Sequence, residues 1–319
     1  MAPGAPAIDL RLALHELSNE TSLSESELTA ALEDAVAATY RRIVEDDPEI
    51  HARVDLVRGS VDVYRHGPDG DVALALPSPD FVRHAAAAVR TAVAEHLVDA
   101  GRQRVLEEAA ARRGQLVDVL VERHAGPAWY VDIAGMSGVL PLEEQIPGEQ
   151  LTPHQHLKVV VLDAWPRAHD AVVVVSRSHP LLLQRLLEEE VPELVSGQVI
   201  IRGIAREPGR RSKVAVEAPA GDIDAQGACI GPRGVRHRAV TSELGAEQVQ
   251  IVAWAEDVET YVANALIPAV VRSVRIDDDR TAHVEVAQDQ LSLAIGRGGE
   301  NARLVAKLSG LRIDIAAAE

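Results

Sequence analysis

The second half of the chain repeats itself, and this limits the available folds more than any other feature. Ile230-Gly231-Pro232-Arg233-Gly234, followed by Arg238, Val240, Gly245, Val249 and Ile251, returns as Ile295-Gly296-Arg297-Gly298-Gly299, followed by Arg303, Val305, Gly310, Ile313 and Ile315. The offset is 65 residues through Gly245 and Gly310, and 64 beyond them. The flanking pattern repeats too. A helix (180–190; 257–266) precedes two strands (199–205 and 213–217; 271–276 and 282–286). A short helix, the glycine loop, a further helix and a last strand follow. The order α-β-β-α-loop-α-β therefore occurs twice, the mark of one small α+β unit used in tandem.

A G-x-x-G loop between two helices has a physical logic. Glycines lack Cβ, so the backbone turns sharply and can lie against another backbone. The next helix opens at once, with unpaired N–H groups and the positive end of its dipole facing an anion. This is the design of the KH module, which clamps the backbone of single-stranded RNA, and the element order is that of type II. One such loop alone also fits a helix-joining turn. Two copies in one frame, with an arginine at the same offset, favour the clamp. The candidate RNA-binding residues are Gly231, Pro232, Arg233, Gly234, Arg236 and Arg238 in the first copy. In the second they are Gly296, Arg297, Gly298, Gly299, Asn301 and Arg303.

Residues 114–176 read differently. Short apolar runs at 116–121, 129–133, 139–140, 159–161 and 171–176, separated by Gly and Pro, predict a small five-stranded OB-type barrel. Trp129 and Tyr130 are adjacent on one strand and so face opposite ways, one to the core and one free to stack a base. The first 111 residues predict a separate α+β domain. Residues 1–23 look irregular. Ser24-Glu25-Ser26-Glu27 forms a capping box ahead of a helix over 25–46. Val54, Leu56, Val61, Val63 and 72–76 predict short strands broken at 67–70. A long helix over 79–111 places Val82, Ala86, Val89, Val93 and Leu97 on one face.

Charge is distributed unevenly. The net charge is −17, which opposes a chain-wide affinity for nucleic acid. Residues 1–108, however, hold 20 of the 49 acids against 10 of the 32 bases, whereas residues 177–319 hold 21 acids and 17 bases. A local basic patch can still grip phosphate there. Aromatics are only 3% of residues, so extensive base stacking is not expected. The single Cys229 excludes an internal disulfide and reads as a small buried residue. A Cys229–His237 dyad lacks an orienting acid. His154 and His156 lack a third ligand and read as a solvated loop. Glu188-Glu189-Glu190 and Asp277-Asp278-Asp279 read as a helix end and a hairpin turn. No apolar run suits a membrane span, and residues 1–10 carry no secretory signal pattern. No catalytic site, cofactor or metal is expected.

The motifs then become specific. Residues 227–234, 288–296 and 300–304 resemble the first and second KH loops of the NusA family of bacterial transcription factors. Residues 205–209 and 262–266 are similar to the same family. Residues 138–149 and 176–180 resemble its S1-type barrel and the exit into the KH pair. The resemblance is strong over 112–319 and weaker over 1–111. It implies an N-terminal RNA polymerase-binding domain (1–111), an S1-type OB barrel (112–178), a first KH domain (179–256) and a second (257–319). It implies a cytoplasmic, non-enzymatic monomer that binds polymerase, nascent single-stranded RNA and other antitermination factors, modulating pausing, termination and antitermination. A ribosome-associated or ribosome-assembly RNA binder is the alternative. Two departures stand out. The strand region around 65–79 is compressed, so polymerase contacts are not carried over by residue. The chain ends just after the second KH strand, so autoinhibition by acidic C-terminal repeats is not expected.

Overall fold

The computed structural model describes His15, Ser18 and residues 24–318, apart from 56, 57, 59, 77, 78 and 169; the side chains of 79, 80, 82 and 83 are likewise left aside. Leu56 and Val82, both singled out above, fall outside what is described. Of residues 1–23, His15 and Ser18 are helical, not irregular as expected. The chain divides into two compact units, Met1–Glu108 with Ala164–Val172, and Ala109–Asp163 with Val173–Glu319. No helix among the described residues is long and apolar enough to cross a membrane.

In the first unit the capping box forms as read. Ser24 accepts from the Glu27 N–H, Glu27 accepts from the Ser24 N–H, and helix α1 (Glu25–Ile43) starts there. Strands β1 (Ile50–Asp55), β2 (Ser60–Gly67) and β3 (Gly70–Leu74) make an antiparallel meander, and helix α2 (Pro79–Ala111) follows. Their shared core holds Val36, Tyr40, Ile50, Val63, Phe81 and Ala85, with Tyr40 and Phe81 meeting edge to face at 5.7 Å. The buried stripe of α2 runs through Phe81, Ala85, Val89, Val93 and Leu97. Ala86 is exposed and Ala85 takes its expected place, because Phe81 sets an i+4 row through Ala85.

Strands β4 (Leu116–Ala125), β5 (Ala128–Ile133), β6 (Met136–Leu140), β7 (His156–Pro166) and β8 (Ala171–Ser176) close a barrel in the order β4-β5-β6-β8-β7. β6 and β8 pair in parallel, whereas β4–β5, β5–β6 and β4–β7 are antiparallel, which is the OB arrangement. Gly138 is required in β6, since a Cβ there would lie 2.7 Å from Val131 Cγ2. Neither Trp129 nor Tyr130 is fully buried, which corrects the expected core assignment. Trp129 packs on His124 at 4.7 Å, and Tyr130 lies 4.2 Å beneath the Arg123 guanidinium.

The two repeats fold alike. The first comprises α3 (Pro180–Glu190), the short α4 (Pro192–Val195), β9 (Ile200–Glu207), β10 (Arg211–Glu217), α5 (Ala225–Ile230), α6 (Val235–Glu243) and β11 (Gln248–Ala253). The second comprises α7 (Val258–Ala265), β12 (Val271–Ile276), β13 (Thr281–Val286), α8 (Leu291–Ile295), α9 (Glu300–Ser309) and β14 (Arg312–Ala317). In each sheet the middle strand is antiparallel to the first and parallel to the last.

The cores are continuous across modules. Ile146 and Val160 of the barrel share one cluster with Leu182, Leu186, Val214 and Ile251. Ala215 and Val252 of the first sheet pack with Val262, Leu266 and Val284 of the second repeat. Each fully buried aliphatic side chain contributes about 1.5–3 kcal/mol, so these clusters hold barrel and repeats as one body. The fully buried Arg177 reinforces this, donating to Glu149 of the barrel loop, and at 2.8 Å to Glu243 Oε1, Glu243 O and Lys158 O.

Candidate nucleic-acid interface

The two glycine loops share nearly the same backbone. Gly231 has φ 74°, ψ 170° and Gly296 has φ 75°, ψ 168°. Gly234 and Gly299, both left-handed at φ 73° and 75°, cap the following helices. The remaining left-handed position is Arg233 (φ 55°) in the first loop and Gly298 (φ 59°) in the second. A Cβ at Gly231 would lie 2.7 Å from Arg236 Cγ, and one at Gly296 would lie 2.8 Å from the Asn301 backbone N. The first glycine of each loop is therefore fixed by space as well as by φ.

Arg236 and Asn301 occupy equivalent places beneath the loops. Arg236 donates to Ala228 O at 2.7 Å and to Glu193. Asn301 is wholly buried and donates to Leu266 O at 3.1 Å and Ala294 O at 3.0 Å. Both tie the loop to the helix before it. Asn301, expected to touch RNA, is thus placed as a support of the loop, because its amide faces inward onto carbonyls. Arg238 and Arg303 also match. Arg238 donates to Arg233 O and Arg303 to Gly298 O, both at 2.6 Å, bracing each loop from outside.

Pro232, Arg233, Arg297 and Gly298 form the exposed tips. Among the described residues the Arg233 and Arg297 side chains have no hydrogen-bond or ion-pair partner. Beside them stand exposed apolar side chains, Ile230 and Val235 at the first loop and Leu293 and Ile295 at the second. Each loop thus presents a free cation and an apolar shoulder. That combination suits a phosphodiester chain carrying bases. Sequence pattern did not reveal the shoulders, since an isoleucine before a loop reads equally well as core.

A further group reaches the second loop from the first repeat. In the turn Glu207-Pro208-Gly209-Arg210, the Arg210 N–H donates to Glu207 O at 3.0 Å and Gly209 has φ 73°, the residue pattern of a type II turn. Glu207 accepts from Arg303 Nε and Nη2 at 3.1 and 3.3 Å, which holds its carboxyl below the ordinary range. Arg210 Nε lies 3.0 Å from Oε1 of Glu300, the first residue of α9. Sequence reasoning missed this approach, although the Pro-Gly turn signal was visible.

The other residues weighed above take structural places. Cys229 is buried and its thiol is pushed up to about 11, chiefly by burial. His237 Nε2 meets Val249 O at 2.7 Å rather than the thiol. Asp277 closes the β12–β13 turn by accepting from the Thr281 N–H at 2.8 Å. His154 and His156 are exposed, and among the described residues no group of three or more His, Cys, Asp or Glu could hold a metal ion.

Comparison with known proteins agrees with this architecture. The NusA N-terminal domain family matches residues 9–67, the NusA-like first KH domain family residues 177–254, and the NusA-like second KH domain family residues 258–319. The transcription termination/antitermination protein NusA of Halalkalibacterium halodurans is 33% identical, over 95% of this chain and 86% of that protein. The proteins of the same name from Bacillus subtilis and Mycobacterium tuberculosis are 35% and 36% identical, over 95% of this chain and 89% and 91% of theirs. The chain belongs to the NusA family of transcription termination/antitermination proteins.

Proposed function

We propose that this protein is a transcription elongation factor that grips nascent single-stranded RNA while bound to RNA polymerase, and so modulates pausing, termination and antitermination. The observation that carries the reading is the pair of matching glycine loops, each with an unpaired exposed arginine at its tip. Residues Gly231, Pro232, Arg233, Gly234 and Arg238, with Gly296, Arg297, Gly298, Gly299 and Arg303, form the RNA clamp. Arg236 and Asn301 support it from below. The domains run 1–111 (polymerase-binding), 112–178 (S1-type barrel), 179–256 (first KH) and 257–319 (second KH). On the barrel, Arg123 over Tyr130 offers a stacking surface to the same RNA.

The acidic first domain suits a basic protein partner, because complementary charge speeds encounter and sets orientation. Anchored to polymerase, it raises the local concentration of RNA at the KH loops, so modest intrinsic affinity suffices. The chain has no catalytic task of its own. It acts as a cytoplasmic monomer, with room for other antitermination factors beside it.

The test has two arms. Single-stranded RNA should bind with an affinity that falls as salt rises, and Gly296→Asp with Gly299→Asp should weaken it while circular dichroism still reports a folded, if less stable, protein. Immobilised full-length protein should retain purified bacterial polymerase and change pausing and terminator read-through in a purified assay. Retention of ribosomal particles but not polymerase would favour a ribosome-assembly role instead.

A further inference from the structure

We propose that the RNA site of the second glycine loop is composite, with Arg210 from the β9–β10 turn of the first repeat as one of its phosphate-binding residues. The inference rests on the reading that the glycine loops clamp RNA.

Arg210 is carried to the clamp by its neighbours. Its Nε is 3.0 Å from Glu300 Oε1, and Glu300 directly follows Gly299. Three residues earlier in the same turn, Glu207 holds Arg303, whose Nη1 donates to Gly298 O within the loop. Yet Arg210 remains open to a ligand. Its side chain is 57% exposed, and it donates no hydrogen bond to any described residue. Glu300 Oε1 is likewise without a hydrogen bond, so this contact and the longer one from Arg210 Nη1 to Glu207 Oε2 at 3.9 Å are ion pairs that leave the guanidinium donors without hydrogen bonds. A guanidinium with free N–H groups is well matched to phosphate oxygens.

The turn that presents Arg210 is held firmly. The Gly209 N–H donates to Glu247 Oε2 at 2.9 Å, and Glu247 is in turn gripped by Arg206. A Cβ at Gly209 would lie 2.9 Å from both Ile146 Cγ2 and Pro147 O of the barrel loop. The position of Arg210 is therefore set by barrel and first repeat together, before any RNA arrives.

The two loops also differ in a way that Arg210 offsets. The first loop carries Arg233 at its left-handed position, whereas the second has Gly298 there. At the start of the next helix the first has exposed Val235, whereas the second has Glu300. Arg297 restores the tip cation one residue earlier, where the first loop has Pro232, so the net difference at the second loop is one added carboxylate. Arg210, with Arg211 Nε at 3.8 Å from Glu300 Oε2, supplies positive charge at that carboxylate, from a segment 90 residues earlier in the chain.

The test is fluorescence anisotropy of the full chain with a short fluorescein-labelled single-stranded RNA at several salt concentrations. Arg210→Ala should weaken binding roughly three- to tenfold and reduce the salt slope by about 0.7, the signature of one lost phosphate contact. Arg210→Lys should keep the slope. Arg275→Ala, which removes a still more exposed cation from β12, should change neither. Melting temperature should be unchanged in Arg210→Lys and Arg275→Ala and lowered only slightly in Arg210→Ala, where Arg211 still faces Glu300. Wild-type affinity and slope for Arg210→Ala, alongside a weakened Gly296→Asp/Gly299→Asp control, would overturn the composite site while leaving the loop reading intact. Equal losses in the Arg210 and Arg275 variants would also overturn it, by showing a bulk charge effect. A control that binds normally would overturn the loop reading, and the inference with it.

Discussion

Arg206 and Glu247 face each other beneath the β9–β10 turn in a bidentate pair, Nε to Oε1 and Nη2 to Oε2, both at 2.9 Å. Both side chains are essentially excluded from solvent. Glu247 also accepts from Ser212 Oγ at 2.6 Å and from the Gly209 N–H, and Arg206 Nη1 donates to His179 O at 2.8 Å. One carboxylate therefore joins the base of the turn, its tip, and through Arg206 the entry to α3. The pair fixes the segment that reaches the second glycine loop.

Glu247→Gln should destabilise the protein by about 3–5 kcal/mol, because it leaves a buried guanidinium without its counter-charge. Burial pushes the Glu247 carboxyl up, but Arg206, Ser212 and the Gly209 N–H outweigh it and hold the group below its ordinary 4.5. A depressed carboxylate contributes stability above its unfolded value and loses it as pH falls through the folded one. Acid unfolding of the wild type should therefore steepen below about pH 4.5, with a flatter profile in the variant. Identical acid profiles would remove Glu247 as a source.

Lys213 gives a second pH dependence, of opposite origin. Its side chain is fully buried and donates to Gln250 Oε1 at 2.6 Å and Ile267 O at 3.0 Å. Burial first, and Arg211 second, lower its pKa from 10.5 to about 7. Between those values the unfolded chain binds a proton that the folded chain does not, so stability rises with pH. Cys229, raised from 9.0 to about 11, opposes this at higher pH. The melting temperature should therefore climb between pH 7 and about 8.5, and Lys213→Met should flatten the climb. Equal slopes in both proteins would rule Lys213 out as the titrating group.

Asn301 and Arg233 separate support from contact. Asn301→Ala leaves inward-facing carbonyls without their donor and should cost about 1–3 kcal/mol of stability. RNA affinity should fall with it, but the salt slope should not change, since no cation is lost. Arg233→Ala should do the reverse, leaving the melting temperature unchanged while making the salt dependence shallower by about 0.7. If Asn301→Ala shifted the slope, the amide would be an RNA contact after all.

Much of this architecture was readable because it is local or repeated. The capping box at Ser24 and Glu27, the bounds of the 79–111 helix and both glycine loops follow from spacing within a few residues. Strands were read short, β7 above all, because its charged ends at Lys158 and Asp163 hide a continuous ladder. Burial of individual side chains was harder. The inward face of α2 turned on Phe81 selecting Ala85 over Ala86, and the exposure of Ile230 and Ile295 has no local cause. Least legible were the contacts between modules. Glu207 and Arg303 are 96 residues apart, and neither position announces the other. Such pairings depend on how the first sheet receives α9, with Gly203 leaving room for Leu308 at 3.3 Å from where a Cβ would stand.

The glycines of the second loop should not be interchangeable in their tolerance of side chains. Gly296→Ala places a Cβ 2.8 Å from the Asn301 backbone, and backbone cannot yield as a side-chain tip does. Its φ of 75° adds strain. Gly298 differs. It too is left-handed, at φ 59°, but nothing lies within 4 Å of where its Cβ would point. The first loop already carries an arginine at this position with φ 55°, so the backbone accommodates one. Gly298→Arg should therefore cost only about 1–2 kcal/mol, the ordinary penalty of the left-handed region. It should also give the second loop a second tip cation beside Arg297. RNA affinity should rise, and the salt dependence should steepen by about 0.7. Gly296→Ala should lower both stability and affinity. Calorimetry and salt-dependent anisotropy on the two variants provide the check. Weaker RNA binding by a well-folded Gly298→Arg protein would mean that phosphate does not pass the loop tip.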